Sequence, residues 1–154
     1  HGEFAEAIPE VQSNLGYVID SRYAAGREDV VAVPGRIVNY MGRAKPSGPP
    51  TFGASDHIAR KILTVIKRDS TTRAAMNIRL RDKYIERAKT LGYTVVYIDR
   101  RLEPQDVKNK EGGTMQWIIE EAYRQTNGKT PDLIVDWGDW GKEGVITVLG
   151  RSPP

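Results

Sequence analysis

The stretch SDHIARKILTVIKRD, from Ser55 to Asp69, predicts the best-defined helix of the chain, and the other elements are arranged around it. Its apolar side chains recur at the spacing of one helical face, and its polar side chains fall off that face. The apolar face consists of Ile58, Ile62, Val65 and Ile66, and the polar positions are His57, Lys61, Thr64 and Arg68. Ser55 is the expected N-cap, because a serine hydroxyl satisfies backbone amides at a helix start.

On either side of this helix the sequence predicts a mixture of strands and further helices without strict alternation. Strands are expected at Leu15–Ile19, Val30–Val33, Arg36–Tyr40, Ala74–Leu80, Thr94–Ile98, Leu133–Val135 and Val145–Leu149. Further helices are expected at Asp82–Leu91 and from Thr114 to near Gly128. The segment Lys45–Gly53, with three prolines and two glycines, predicts an ordered loop or a lid. Hairpins in the first third favour an α/β fold with a mixed sheet covered by helices on both faces.

Length and composition indicate a single domain that binds neither nucleic acid nor membrane. The 154 residues suffice for one core, and the absence of cysteine excludes disulfides and thiolate metal sites. The net charge is +3, with 23 basic residues interspersed among 20 acidic ones, and no run of like charge resembles a nucleic-acid arm. No apolar run is long enough for a membrane span, so a cytoplasmic protein is expected. The ending Ser152-Pro153-Pro154 suggests a domain cut from a longer chain.

Two short motifs indicate a site for a phosphorylated small molecule. In VPGRI, Arg36 directly follows the tight turn at Gly35, and in FGASDH, His57 follows the small residues that open the helix. Those small residues are Gly53, Ala54 and Ser55. A guanidinium grips phosphate oxygens in two places, and a helix start offers backbone amides to an anion. The alternatives are a surface arginine on a hairpin and an exposed histidine without a role.

Two other segments are weaker candidates for ligand contacts. Gly112 and Gly113 precede the expected cap Thr114, so the backbone amides at this helix start form a second candidate anion-binding site. Glycines before a cap are also common in loops without a ligand. Asn77 and Arg79 are two positions apart on one strand, so their side chains share a face. Both would reach one ligand if that face borders the site, and neither would if it faces solvent.

The loop DWGDWGKE, from Asp136 to Glu143, combines carboxylates, Lys142 and two tryptophans between two strands. Asp99 and Asp136 each end an apolar strand, where α/β sheets bind ligands. With Asp139 they are candidate magnesium ligands, since Mg²⁺ prefers carboxylate and phosphate oxygens. The tryptophans would stack on a flat heterocycle or, alternatively, cover the edge of the sheet.

Taken in order, six motifs resemble the archaeal-type thiamine-phosphate synthase domain, the ThiN family, over nearly the whole chain. They are Ile8-Pro9-Glu10-Val11 with Ser13-Asn14-Leu15, then Val31–Ile37, Phe52–Arg60, Ala75–Arg79, Glu111-Gly112 and Gly138–Glu143. The resemblance implies a three-layer α/β/α fold similar to class II aldolases. It also implies Arg36 and His57 as the functional pair, and Asn14 lies in the first motif as a further candidate for ligand contact.

The resemblance implies an activity and a set of ligands. The expected reaction joins hydroxymethylpyrimidine diphosphate to hydroxyethylthiazole phosphate, giving thiamine phosphate and pyrophosphate, with magnesium as the cofactor. An alternative is the thiamine-phosphate-binding effector domain of an archaeal helix-turn-helix regulator of thiamine biosynthesis. In either case the partners are these small phosphorylated molecules, and a homodimer is an expectation.

Overall fold

The computed structural model describes residues 2–154 as an α/β fold with a mixed sheet. Its strands are β1 (Leu15–Val18), β2 (Val30–Ala32), β3 (Ile37–Tyr40), β4 (Arg43–Pro46), β5 (Thr51–Phe52), β6 (Ala74–Arg79), β7 (Val95–Ile98), β8 (Leu133–Asp136) and β9 (Val145–Gly150). Its helices are α1 (Gly2–Glu6), α2 (His57–Ile66), α3 (Asp82–Thr90), α4 (Gln105–Lys108) and α5 (Gly113–Gln125).

Seven strands form one sheet in the order β5-β2-β1-β6-β9-β8-β7, and β3 pairs with β4 in a separate hairpin. The β7–β8 pair is parallel, with Ile98 opposite Asp136, and the other pairs of the large sheet are antiparallel. The mixed sheet expected from the early hairpins is therefore confirmed.

Helices cover both faces of the large sheet, because alternate residues of each strand point to opposite sides. On one face, α2 and α5 pack over side chains that include Val96, Ile98 and Ile134. On the other face, α3 packs with Ile85 and Ala88 over residues that include Leu133 and Val135. The expected layers of helix, sheet and helix are present.

A glycine in β1 allows α2 to lie close to the sheet. A Cβ on Gly16 would stand 2.4 Å from Cγ2 of Ile58, which is far below van der Waals contact. The first turn of α2 therefore sits directly on β1, and this contact fixes the position of His57 beside the strands.

The structure corrects three local predictions. Lys45–Gly53 is not a continuous loop, because it contains the end of β4 and all of β5 at edge positions where proline is tolerated. Both predicted helix caps are shifted, because the N-cap of α2 is Asp56 rather than Ser55 and that of α5 is Gly112 rather than Thr114. Lys61 and Thr64, predicted on the polar face of α2, are buried because α5 and the sheet enclose more of the helix than one apolar stripe.

None of the helices within residues 2–154 has the length and apolar character needed to span a bilayer.

Candidate functional site

A cleft of about 730 Å³ brings together most of the residues that the sequence singles out. Its walls come from the segment before β1, the turn before β3, the start of α2, the loop before α5 and the loop before β9. The predicted residues that line it are Asn14, Gly35, Arg36, Ala54, Ser55, His57, Asn77, Gly112, Asp136 and Lys142. In all, six cationic side chains line the cleft, namely Arg36, Lys61, Arg100, Lys108, Lys110 and Lys142, against four carboxylates, namely Asp56, Glu111, Asp136 and Glu143.

Arg36 is held at the rim of the cleft by a left-handed turn. Gly35 and Arg36 have φ values of +67° and +69°, and the Arg36 amide donates to the Val33 carbonyl at 3.1 Å. A non-glycine residue in this conformation carries local strain, which is common where a side chain must be aimed. The guanidinium donates to the Val11 carbonyl, and Arg36 lines the cleft with further guanidinium N–H groups that make no other hydrogen bond within residues 2–154.

The segment that receives this contact is anchored by two asparagines. The Asn77 side chain accepts from the Asn14 amide at 2.8 Å and donates to the Gln12 carbonyl at 2.9 Å. The Asn14 side chain bonds both the amide and the carbonyl of Val33 at 3.1 Å. Both asparagines border the cleft, but their amides are occupied by backbone groups. These hydrogen bonds connect the turn at Arg36 to residues 11–14.

His57 is the first residue of α2 and lies at the cleft wall with an exposed side chain. Desolvation lowers the pKa of this imidazole, Asp56 opposes the shift, and the charges of Lys61 and Arg36 add to it. A neutral ring at pH 7 therefore faces the cleft, as expected for a histidine at a helix start. Asp56 itself is paired with Arg27 at 2.6 Å and with Arg60 at 2.8 Å.

The floor of the cleft is a cluster of buried charges that the sequence did not single out as a whole. Arg100 donates to Asp136 at 2.8 Å, and its Nε lies 3.4 Å from Glu103. Lys61 donates from Nζ to the Thr147 hydroxyl at 2.7 Å, and its residue is 4 % exposed. A sequence signal for Lys61 did exist, because it stands four residues after His57 and therefore on the same side of the helix. The sequence around Arg100 did not predict that this arginine is buried at the floor of the cleft.

The three candidate magnesium ligands are not gathered into a metal site. Asp99 is bonded to Arg101, which lowers its pKa to about 2, and Asp139 is bonded to Lys108 at 2.5 Å. Both oxygens of Asp136 are also engaged, one by Arg100 and the other by the Gly138 amide at 2.9 Å. Residues 2–154 contain no group of three or more histidines and carboxylates arranged to hold a metal. This donor set does not fit a magnesium ion held by the protein alone.

At the loop before α5, the two predicted glycines have different surroundings. Gly112 lines the cleft with φ +69°, and a Cβ there would stand 2.2 Å from the Arg60 guanidinium. Gly113 is buried against the Val107 carbonyl and does not line the cleft. Lys108 at the end of α4 and Lys110 in the loop before α5 also line the cleft, and the sequence analysis missed both.

Two other predicted contacts lie away from the cleft. Arg79 donates to the Ile8 carbonyl at 3.0 Å and lines a separate hollow of about 310 Å³. The backbone amide of Gly53 donates to the Val30 carbonyl and extends the pairing of β5 with β2 at the edge of the sheet. Trp137 stacks on Tyr97 with ring centroids 6.0 Å apart, which matches the interpretation that it covers the sheet. Trp140 is exposed and outside the cleft.

Fold and cleft together define an α/β protein with a pocket in which cationic side chains outnumber carboxylates and whose size suits small molecules. Comparison with known proteins places it more narrowly. The model of the family described as thiamine-phosphate synthase ThiN matches residues 1–154, and the chain belongs to this family.

Two named relatives are similar over almost the whole chain. It is 41% identical over 150 residues to thiamine-phosphate synthase ThiN of Methanothermobacter thermautotrophicus, covering 97% of this chain and 77% of that protein. It is 39% identical over 146 residues to the bifunctional thiamine biosynthesis protein ThiDN of Methanocaldococcus jannaschii, covering 94% of this chain and 33% of that protein. In the second relative, the similar region is one third of a longer chain.

Two solved structures share the fold. The C-terminal domain of phosphomethylpyrimidine kinase superposes with a TM-score of 0.91 at 43% identity, covering 97% of this chain and 83% of that one. The C-terminal domain of protein MJ0236 superposes with a TM-score of 0.83 at 38% identity, covering 95% of this chain and 76% of that one.

Proposed function

We propose that this chain is a thiamine-phosphate synthase, which couples hydroxymethylpyrimidine diphosphate with hydroxyethylthiazole phosphate and releases pyrophosphate. The carrying observation is the cleft of about 730 Å³, where six cationic side chains outnumber four carboxylates and lie beside a neutral histidine. Both substrates and both products of this reaction carry phosphate groups. Membership of the ThiN family and the printed names of the relatives support the same activity.

The reaction needs no nucleophile from the protein. The lone pair of the thiazole nitrogen forms a C–N bond to the pyrimidine methylene carbon, and the C–O bond to the diphosphate breaks with its electron pair leaving on oxygen. Negative charge therefore accumulates on the departing diphosphate, and positive charge forms on the thiazolium. A site for this reaction must hold two substrates in line and stabilise the leaving anion.

In this proposal, Arg36 binds a phosphate group through the N–H groups that its contact with Val11 leaves free. His57 in its neutral form donates a hydrogen bond to the diphosphate as it leaves. Lys108, Lys110 and Lys142 surround the opening and raise the local concentration of anionic substrates.

Magnesium remains a proposal as an ion that accompanies the diphosphate, because the carboxylates that line the cleft are already engaged by arginines or by backbone amides. We derive no step of the reaction through it. Its participation is tested by comparing turnover with magnesium and with a chelator present.

Three other expectations also stand as proposals. The mixed sheet with helices on both faces supports a fold similar to class II aldolases. The biosynthetic family supports a cytoplasmic location. A homodimer is testable by light scattering of the purified protein.

The function is tested by incubating the purified protein with both substrates and following thiamine phosphate by chromatography and pyrophosphate by a coupled assay. We expect both products in equal amounts, and the Arg36→Ala variant serves as the control for contaminating activity. Binding of thiamine phosphate without turnover would instead favour the effector-domain function. If the protein shows no binding of thiamine phosphate and no turnover, the proposal is overturned.

A further inference from the structure

Lys61 is a buried amine on the inner wall of the cleft, one helical turn after His57. It lies on α2, is 4 % exposed, and lines the same cleft as Arg36 and His57. A lysine is rarely buried to this degree without a carboxylate partner, because desolvating an ammonium is costly. The position of Lys61 therefore requires an explanation.

The neighbouring charges do not neutralise Lys61. Within residues 2–154, the one hydrogen-bond partner of its Nζ is the uncharged Thr147 hydroxyl on β9, at 2.7 Å. The carboxylate on β8, Asp136, is bonded instead to Arg100 and to the Gly138 amide. An ammonium has three donors, so Lys61 retains capacity to bind a further acceptor.

The electrostatics agree with this geometry. Burial lowers the pKa of Lys61 to about 8, with Asp136 opposing the shift and Arg100 adding to it. His57, one turn earlier on the same helix, is a further titratable group of the cleft, and the charge of Lys61 helps to lower its pKa. An anion entering the cleft would find here a cation that little solvent screens, where electrostatic attraction is strongest.

We propose that the Lys61 ammonium binds the diphosphate at the inner end of the cleft, and is a catalytic residue that donates hydrogen bonds to the oxygens of the leaving group. This inference rests on the synthase function proposed above. Lys61 keeps its proton, and the electron pair of the broken C–O bond stays on the diphosphate. Thr147 is a positioning residue, since its hydroxyl fixes the direction of Nζ.

The test is calorimetric titration of the intact protein with inorganic pyrophosphate, which does not depend on turnover. Lys61→Met should weaken pyrophosphate binding about 10- to 100-fold, as expected for loss of a charge-assisted hydrogen bond. Lys67→Met is the matched control, because Lys67 is the exposed C-cap of the same helix. The control should bind pyrophosphate like the unaltered protein.

Two results would overturn the proposal: pyrophosphate binding by Lys61→Met within twofold of the control, or no binding by the unaltered protein. If Lys61→Met does not fold, Thr147→Val decides the question. This nearly isosteric change should weaken pyrophosphate binding at least threefold while the unfolding temperature stays within a few degrees, and unchanged affinity would contradict the proposal. A protein that binds pyrophosphate through Lys61 yet forms no thiamine phosphate would refute the synthase function alone.

Discussion

The rim and the floor of the cleft both carry charge, but they hold it in opposite ways. At the rim, the side chains of Arg36, Lys108, Lys110 and Lys142 are exposed, so their charges are in contact with solvent. At the floor, Arg100 and Asp136 are 7 % and 4 % exposed and are held in one arrangement by their mutual bond. Solvent screens the rim and hardly screens the floor.

This difference assigns different physical tasks to the two regions. Exposed charges attract and orient anionic ligands at little cost to folding, since their solvation is nearly the same in the folded and unfolded chain. Buried charges act strongly on a bound ligand, but each depends on its partner for stability. Changes at the floor should therefore affect folding as well as binding, and changes at the rim should affect binding alone.

The largest effect is expected for Asp136→Asn. It leaves the Arg100 guanidinium buried with only Glu103 opposite it, and loss of one partner of a buried ion pair costs about 3–5 kcal/mol of unfolding free energy. Denaturant unfolding monitored by circular dichroism measures this loss. Asp139→Asn, which breaks the more accessible pair with Lys108, is the rim control and should change stability little. Equal losses for the two variants would remove the distinction between rim and floor.

Arg36→Ala should separate binding from folding. Loss of a charge-assisted contact should weaken thiamine phosphate binding by about 1.5–3 kcal/mol in calorimetry. The free energy of unfolding should stay within about 0.5 kcal/mol, because the side chain is exposed. Unchanged affinity would exclude Arg36 from the site.

Glu143→Ala should weaken ligand binding less than Arg36→Ala does, because Glu143 acts on the Arg36 site only through the Val11 segment. The Glu143 carboxylate accepts from the amides of Glu10 and Val11 at 3.1 and 2.9 Å, and Val11 in turn holds Arg36. We expect a stability loss of about 1–2 kcal/mol and a few-fold weaker binding of thiamine phosphate. Glu86→Ala on the exposed face of α3 is the control. Wild-type affinity in Glu143→Ala would show that the anchoring of this segment does not matter.

The smallest expected signal is the titration of His57 by NMR. Its midpoint should lie below 6.5, and the shift should shrink in Lys61→Met because one of the charges that lower the pKa is removed. With a folded-state pKa below the unfolded one, the contribution of His57 to stability is complete above about pH 6.5 and is lost as the pH falls towards its folded-state pKa. A midpoint at or above 6.5 would contradict a neutral, partly desolvated ring.

Much of the fold follows from local sequence patterns. Alternating and continuous apolar runs located the principal strands of the sheet, and the stripe at Ile58, Ile62 and Val65 located α2. The β4 and β5 strands were missed because prolines conceal short edge strands. The helix α4 was missed because its four residues have no apolar periodicity.

Most of the rim was predictable apart from Lys108 and Lys110, whereas Asp136 was the one charged residue of the floor that the sequence analysis named as a candidate site residue. Gly35 and Gly112 adopt positive φ, a conformation that favours glycine. A glycine in the sequence can therefore reveal the turn or helix start at which it lies. Arg100 leaves no such mark, and Lys61 is marked only by its place four residues after His57, because a buried cation and a solvated one are the same residue in a sequence. Which cations are buried depends on how α2 and α5 meet the sheet, and that contact joins residues far apart in the chain.

The most direct test of the account is a crystal structure of the protein with thiamine phosphate and pyrophosphate bound. The account predicts pyrophosphate at the inner end of the cleft within hydrogen-bond distance of Lys61 Nζ, with Arg36 and His57 also touching a phosphate group. Ligands bound outside this cleft, or inside it without contact to Arg36, His57 and Lys61, would contradict it.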